Sequence, residues 1–232
     1  MYSLDLLTTF ALFGLAHAGT KIGFGPDFAV DSTGTTWIRE ANPTLILPKT
    51  PSPQVDRLAL WPGMETSNGN LIQAIAVSFA DPAAECGAQS GQWCVFASTL
   101  QDYQKQGKMV PASAGDKVTM HYVYNDSTGG YDQSAAINGK IVSTISTDSG
   151  HATRWDVTVE CQEGTCLGRS AAHKYIDTTI VLNEADPSWS EGLYTKWQKN
   201  SGLQTADGGK TWTLDRLSLE SHQFTESDID YD

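Results

Sequence analysis

The sequence predicts an all-β protein, a β-sandwich or jelly roll, and three observations support this fold class. Short segments of alternating or β-branched apolar residues recur along the chain, and turn residues separate them. No helical stripe extends beyond about two turns. About ten such segments fit one sandwich domain in a chain of this length.

Each predicted element follows from a local pattern. The predicted strands lie at residues 20–30, 36–48, 57–61, 70–80, 92–100, 117–124, 155–160 and 175–183. A hairpin is predicted over 134–146, because Asn138-Gly139 is a preferred type I′ turn pair between two strand-forming segments. A short helical insertion is predicted near 186–200, where a serine cap precedes a polar segment.

The two ends of the chain differ from the segment between them. Residues 1–18 contain a short apolar run that ends in Ala16-His17-Ala18, which is typical of a cleaved signal peptide. We therefore expect a secreted, extracellular protein with a single domain over residues 19–224. Residues 225–232 are acidic and predict a flexible tail.

The net charge of −12 limits the partners of the protein. Nucleic acid and anionic membrane are not expected as partners, since both repel an acidic surface. The acidity suits acidic surroundings, where carboxylates partly protonate and repulsion falls. We expect a monomer that acts on or binds an extracellular polypeptide, a glycan or a small molecule.

Four cysteines form an even set, as expected for two disulfides in an exported chain. Three connectivities are possible, and local pairing of Cys86 with Cys94 and of Cys161 with Cys166 is favoured because each pair brackets a glycine-containing loop. The spacing is not that of a zinc site. Asn125 begins an Asn-Asp-Ser glycosylation sequon in a turn-like segment.

Gln73 stands out because it lies inside the apolar segment LIQAIAVSF, where an amide is expensive to bury. Three interpretations remain open: a hydrogen-bonded core amide, a ligand contact or a catalytic group. The sequence by itself does not choose between them.

The order of several motifs resembles that of the fungal glutamic peptidases, the eqolisins. Trp61-Pro62-Gly63 followed by Leu71-Ile72-Gln73-Ala74 is similar to the segment of that family that carries its glutamine. The segments GQWCVFASTL, PASAGDKVTMHYVY and TTIVLNEAD resemble later strands of the family in the same order. The resemblance implies a concanavalin-like jelly roll of two curved antiparallel sheets with a cleft.

The same resemblance implies a catalytic pair of Gln73 and Glu184. The carboxylate would activate water as a general base, and the glutamine amide would stabilise the oxyanion without titrating. In this chain Glu184 follows the apolar run by one extra residue, Asn183. A one-residue slip turns a strand side chain to the other face, so this role requires a bulge or a turn.

Four further residues are predicted to contact a ligand: Trp61, Trp93, His121 and Tyr122. Trp61 precedes the Gln73 strand in a Trp-Pro-Gly segment, and aromatic platforms of this kind bind sugar rings. His121 and Tyr122 share a predicted strand. No cofactor or metal is predicted, because the histidines lack paired metal-ligand spacing, and no Gly-x-Ser-x-Gly motif occurs.

Three functions therefore remain open, and enzymatic activity is itself uncertain from sequence. The first is an acid-acting hydrolase of the glutamic-peptidase type, and the second is a non-catalytic module that binds carbohydrate or cell wall. The third is a lyase or cyclising enzyme that acts on a small metabolite. A closed apolar cleft would favour the third over the second.

Overall fold

The computed structural model describes residues 21–162, 166 and 168–231. The predicted signal peptide at residues 1–18 lies outside the described residues. The side chains of Lys21, Asp230 and Tyr231 are not described.

Eighteen strands make up most of this part of the chain. They are β1 Lys21–Asp31, β2 Ile38–Ile46, β3 Arg57–Thr66, β4 Leu71–Ser78, β5 Trp93–Leu100, β6 Gln104–Gln106, β7 Val110–Ala112, β8 Lys117–Asn125, β9 Gly130–Ile137, β10 Lys140–Thr147, β11 Ala152–Gln162, β12 Arg169–Ser170, β13 His173–Leu182, β14 Leu193–Lys196, β15 Gln198–Asn200, β16 Thr211–Leu219, β17 His222–Gln223 and β18 Ile229–Tyr231.

The long strands form two antiparallel layers. Sheet I has the order β10-β9-β8-β2-β13-β16-β15, and sheet II has the order β6-β5-β4-β3-β11-β1-β14, with β7 beside β5 and β18 beside β1. The pairing of Ala152 with Ile38 joins the two sheets. The sequence-based prediction of a jelly roll of two curved antiparallel sheets is confirmed.

The main core lies between the sheets. Sheet I contributes Met120 and Tyr122, and sheet II contributes Leu60 and Trp155, all with no exposed surface. Strand β4 is buried along its whole length, which explains why its sequence is almost continuously apolar. Because both faces of β4 are buried, one of them packs outside the main core.

The hairpin predicted at Asn138-Gly139 is present between β9 and β10. Both turn residues have positive φ angles, 50° for Asn138 and 84° for Gly139, as a type I′ turn requires. The Asn138 side chain also accepts a hydrogen bond from the Lys117 backbone N–H at 3.0 Å, which ties the turn to β8.

The helical content differs in detail from the prediction. In the segment 186–200 only Trp189–Gly192 form a 3₁₀ turn, and the rest is β14 and β15, because β14 finds an edge partner in β1. A helix that the sequence did not predict, α1 at Pro82–Cys86, begins where the Asp81 side chain accepts a hydrogen bond from Ala84. Among the described helices none is long and apolar enough to cross a membrane.

The C-terminal segment, for which the sequence predicts a flexible tail at residues 225–232, contains regular structure up to Tyr231. Glu226–Asp228 form a 3₁₀ turn, and β18 pairs with the beginning of β1. The Asp228 carboxylate holds the turn by accepting hydrogen bonds from the backbone N–H and the hydroxyl of Thr225.

Both disulfides connect the residues that local pairing predicted. Cys86–Cys94 ties α1 to β5, and Cys161–Cys166 closes the end of β11. The short sequence separations, 8 and 5 residues, remove little chain entropy, so the bonds act mainly by fixing the loops that they close.

A tyrosine of sheet I completes the hydrogen bonding of sheet II. The pairing of β3 with β4 is interrupted between Leu60 and Gly63, where Pro62 has no N–H to donate. The buried Tyr122 hydroxyl donates to the Pro62 carbonyl at 2.6 Å and accepts from the Ala74 N–H at 2.7 Å. The hydroxyl therefore replaces a missing rung of the ladder.

We expect Tyr122→Phe to lower the free energy of unfolding by about 2 kcal/mol, because the change leaves a buried N–H and a buried carbonyl unpaired. Urea denaturation measures this difference. Tyr103→Phe is the matched control, since Tyr103 is 59% exposed and its hydroxyl has no such role. Equal stability of the two variants would contradict the structural role of the Tyr122 hydroxyl.

Candidate active site

The candidate site lies on the face of sheet II that points away from the main core. Side chains on this face form a second apolar cluster that includes Trp61, Leu71, Ile75 and Phe96. Gln73 belongs to the same face, because its neighbours Ile72 and Ala74 point into the main core. The amide is therefore not packed between the two sheets.

Strand register places Gln73 in a single row with polar groups of other strands. Gln73 pairs with Ser98 of β5 on one side and with Gly63 of β3 on the other. Gly63 in turn pairs with Asp156 of β11, and Asp156 pairs with Ala29 of β1. Gln73 and Asp156 are thus separated by two strand spacings, roughly 10 Å.

Gly63 contributes no side chain between Gln73 and Asp156. A Cβ atom at this position would lie 2.8 Å from the Ile72 carbonyl oxygen and 3.2 Å from the Trp61 ring. The β4 backbone and the Trp61 indole therefore lie too close to this position for any residue larger than glycine.

A second row lies next to the first. Trp61 pairs with Thr158 of β11, and Thr158 pairs with Asp27 of β1. The Trp61 indole N–H donates to a Glu160 carboxyl oxygen at 2.9 Å, and the Gln162 amide donates to the other oxygen at 2.6 Å. Three carboxyl groups, those of Asp27, Asp156 and Glu160, therefore share this face with Gln73.

Several polar atoms of this face have no hydrogen-bond partner in the described part of the chain. They include both side-chain heteroatoms of Gln73 and the Ser98 hydroxyl. Gln73 and Ser98 have no exposed surface, and Asp156 is 6% exposed. Unpaired buried polar groups are rare and costly, and they mark places where a ligand or ordered water completes the bonding.

The backbone behind Gln73 is held from the core side. In the orientation that satisfies both ends of its amide, Gln133 of sheet I donates to the carbonyls of Ser98 at 2.8 Å and Gln73 at 3.2 Å. Tyr122 binds the next residue, Ala74. Two polar side chains of sheet I therefore fix the position of Gln73 in sheet II.

Asp27 and Asp156 form a carboxyl pair. Burial raises the pKa of Asp156 well above its ordinary value, and the negative charge of Asp27 raises it further. Burial also raises the pKa of Asp27, and the two carboxyl groups hydrogen-bond to each other. Since two adjacent carboxylates repel, the loss of one proton from the pair opposes the loss of the second.

Arg154 anchors this pair. Its guanidinium donates to Asp156 at 3.0 Å and to Asp31 at 2.9 Å, and it lies 3.8 Å from Glu65. Burial, followed by repulsion from Asp156, raises the pKa of Glu65. Arg154 therefore offsets only part of the negative charge, which favours protonation of the cluster in acid.

Glu160 is a fully buried carboxyl group whose pKa is also raised. Burial raises its pKa to about 8, and the hydrogen bonds from Trp61 and Gln162 oppose the shift only in part. The Glu160 carboxyl group is therefore protonated at neutral pH. The protein takes up a proton when it folds at a pH between 4.5, the ordinary pKa of a glutamate, and about 8.

We expect the free energy of unfolding to fall as the pH rises from about 4.5 to 8, since the folded state binds the Glu160 proton more tightly than the unfolded state does. Glu160→Gln should weaken this dependence and raise the urea midpoint at pH 8 relative to the unchanged protein, because a neutral amide replaces the acid and Gln162 can rotate to accept from it.

Urea midpoints between pH 4 and 9 test this expectation. Glu184→Gln, which changes an exposed carboxylate, is the control and should leave the profile unaltered. A variant profile parallel to that of the unchanged protein would show that Glu160 does not carry the dependence.

The structure does not bring Glu184 to Gln73. Glu184 is exposed in the turn after β13, which is a strand of sheet I, whereas Gln73 lies on the outer face of sheet II. The carboxyl group that shares a row with Gln73 is that of Asp156.

The four predicted ligand contacts also lie apart. Trp61 is on the face of Gln73, but it is 4% exposed. Trp93 and Tyr122 face the main core, and the Trp93 indole donates to the Pro48 carbonyl at 2.8 Å. His121 lies on the outer face of sheet I.

Asn125, the predicted glycosylation residue, ends β8 and is partly buried. Its amide donates to Asp132 at 2.9 Å, and its side-chain oxygen accepts from the Ser127 N–H at 3.0 Å. The sequon thus forms a compact turn at the end of sheet I.

Sequence reasoning missed Asp27 and Asp156 as site residues. One signal was present: in WDVTVE the polar residues Asp156, Thr158 and Glu160 alternate with apolar ones, so they share one face of the predicted strand. The pairing of this strand beside β3, which brings that face to Gln73, is a tertiary fact.

Among the described residues no group of three or more histidine, cysteine, aspartate or glutamate side chains is placed to hold a metal ion. The arrangement offers acid–base groups and hydrogen-bond donors.

No protein-family model matches this chain, and no curated protein matches its sequence. Solved structures do match. Scytalido-glutamic peptidase with a peptide-based transition state analog is 13% identical, over 83% of this chain and 97% of that one, with a TM-score of 0.54. The chain therefore shares its fold with this glutamic peptidase.

Two further structures are similar at lower scores. SCP-B, a member of the eqolisin family in a complex with the tripeptide Ala-Ile-His, is 13% identical over 83% of this chain and 97% of that one, with a TM-score of 0.49. A prokaryotic β-1,3-1,4-glucanase (lichenase) derived from a mouse hindgut metagenome is 7% identical over 84% and 78%, with a TM-score of 0.35. At these identities the likeness concerns the fold alone.

Proposed function

We propose that the protein is a secreted, acid-acting hydrolase that cleaves peptide bonds of extracellular polypeptides. Gln73 is the oxyanion donor, and the Asp27–Asp156 pair supplies the acid–base groups. The observation that carries the proposal is the row in which Gln73 and Asp156 lie on either side of Gly63, with buried and unpaired polar atoms.

The proposed chemistry uses the singly protonated pair. The ionised carboxylate takes a proton from a water molecule, whose oxygen attacks the substrate carbonyl carbon. The Gln73 N–H donates to the resulting oxyanion, and the carbonyl re-forms as the C–N bond breaks and the leaving nitrogen receives a proton from the pair. The products are a carboxylic acid and an amine, and the pair returns to its starting state.

The amide of Gln73 suits this role because it does not titrate. It donates a hydrogen bond at any pH at which the pair works, and a low-dielectric setting strengthens that bond. The absence of a competing protein acceptor for Gln73 in the described residues leaves its N–H groups available to a substrate.

Two further observations support the proposal. The fold is that of peptidases, and the Trp61-Pro62-Gly63 and Gln73 segments resemble the family's glutamine-bearing segment. Two disulfides agree with an exported protein, since such bonds persist in oxidising compartments.

A second candidate is a lyase or cyclising enzyme that acts on a small metabolite. It is favoured by one observation: Gln73 has no exposed surface, and apolar side chains surround it. A small substrate needs less opening of such a site than an extended polypeptide does.

Cleavage of an unfolded polypeptide by the purified secreted protein between pH 3 and 7 tests the proposal. We expect Gln73→Ala to lower kcat roughly 100- to 1,000-fold, as loss of an oxyanion donor does elsewhere. Asp156→Asn should lower kcat by at least as much, because it removes the base.

Glu184→Gln is the matched control and should retain full activity, since this carboxylate lies outside the row. Loss of activity in Glu184→Gln but not in Asp156→Asn would reverse the assignment of the base. No cleavage by the unchanged protein would overturn the peptidase proposal and leave the small-metabolite candidate.

The pH profile of kcat/KM gives an independent expectation. It should be bell-shaped, because activity requires one proton on the pair, and its acid limb should lie above the ordinary pKa of an aspartate, since burial raises both values. In Asp27→Asn the alkaline limb should disappear from the residual activity, because the negative neighbour that holds the second proton of the pair is gone. A retained alkaline limb would show that the two groups do not titrate together.

A further inference from the structure

The outer face of sheet I carries an open trough, which we define by His121 and Val123 of β8, Asp132 and Ser134 of β9, and Thr144 and Ser146 of β10. These residues surround a cavity of about 330 Å³. A volume of this size falls within the roughly 300–1,000 Å³ of small-ligand sites. The trough lies on the opposite side of the sandwich from Gln73.

The trough is built from two cross-strand rows. His121 pairs with Ser134, and Ser134 pairs with Thr144. Two residues along each strand, Val123 pairs with Asp132, and Asp132 with Ser146. The side chains of Ser134, Thr144 and Ser146 on β9 and β10 are shorter than that of His121 on β8. This difference in side-chain length forms the trough.

The polar groups of the trough are held in place. The Asp132 carboxylate accepts hydrogen bonds from the Asn125 amide at 2.9 Å and from the Ser146 hydroxyl at 2.5 Å. His121 lies 2.8 Å from the Glu40 carboxylate, which orients the ring, and its side chain is 39% exposed. Preorganised groups of this kind bind at a lower entropic cost.

Other polar groups of the trough are available to a ligand. The hydroxyls of Ser134 and Thr144 have no hydrogen-bond partner among the residues that the structure describes, and Thr144 is exposed. Asn42 of β2 lies next to His121, and its buried side-chain oxygen also has no hydrogen-bond partner among the described residues. The trough thus offers donors and acceptors close together.

The chemistry of the trough selects among ligand classes. The Asp132 and Glu40 carboxylates repel anions, and the chain as a whole carries a net charge of −12. Hydroxyls, which both donate and accept, match the hydroxyls of a sugar, and carboxylate acceptors bind them too. Val123 adds an apolar contact for the C–H face of a sugar ring.

We infer that this trough is a binding site for a neutral oligosaccharide, separate from the candidate active site. It would hold the secreted protein at a glycan surface while the other face of the sandwich remains available to substrate. This inference does not depend on the peptidase proposal.

Amide chemical-shift titration of the ¹⁵N-labelled protein tests the inference. The protein is secreted into the bacterial periplasm, so that both disulfides form and Asn125 carries no glycan. The probes are neutral hexasaccharides of β-1,4-linked glucose, β-1,3-linked glucose and α-linked mannose. We expect at least one to bind, with shift changes confined to β8, β9 and β10.

Two substitutions locate the site. Thr144→Val and Ser134→Ala each remove one hydroxyl and preserve the strand, and each should weaken binding about 10-fold, the effect of losing one hydrogen bond. Thr213→Val is the matched control, since Thr213 is an exposed threonine of β16 in the same sheet. Gln73→Ala should bind as the unchanged protein does.

Several outcomes would overturn the inference. The first is that no hexasaccharide binds at about 10 mM, a concentration ten times the 1 mM dissociation constant of a weak complex. The second is that the shift changes are centred on sheet II. The third is that Thr144→Val, Ser134→Ala and Thr213→Val bind with equal affinity. Binding of a lysine-rich peptide to the trough in place of every sugar would identify a cationic partner and also overturn it.

Discussion

The hydroxyl of Tyr122 is the interaction on which the rest of the site depends. Pro62 cannot donate a hydrogen bond within β3, and a proline in the middle of a sheet normally weakens the ladder. Tyr122 reaches across the core from β8 and binds both Pro62 and Ala74. Because Ala74 follows Gln73, the same bond that completes the ladder also holds the backbone next to Gln73, whose side chain points to the outer face by strand alternation.

The site has the energetic character of a functional region rather than a structural one. Burial of the unpaired Gln73 amide and of the Asp156 and Glu160 carboxyl groups costs stability, and an apolar face would be more stable. This cost is lowest in acid, because a protonated carboxyl group is neutral and its desolvation costs much less free energy than that of a carboxylate. The stability of the fold and the proposed chemistry therefore favour the same pH range, and both depend on the acidic composition of the chain.

The two outer faces of the sandwich differ in chemistry because their strands differ in composition. Sheet II presents apolar side chains around a few buried carboxyl and amide groups, as expected of a reaction site that excludes water. Sheet I presents short hydroxyls and fixed carboxylates that remain accessible, as expected of a binding surface. A β-strand alternates its side chains between two faces, so each sheet adds its own outer surface to the shared core.

The sequence by itself determined the fold class, most strand positions, the Asn138-Gly139 hairpin and the isolation of Gln73 in an apolar strand, because all of these follow from local periodicity and turn chemistry. It also indicated that Asp156 and Glu160 share a face of their strand. Only the tertiary structure decided that β11 pairs with β3, which brings Asp156 into the row of Gln73 and leaves Glu184 in a turn of the other sheet. Register between strands distant in sequence depends on side-chain packing across the whole sheet, which no local pattern encodes.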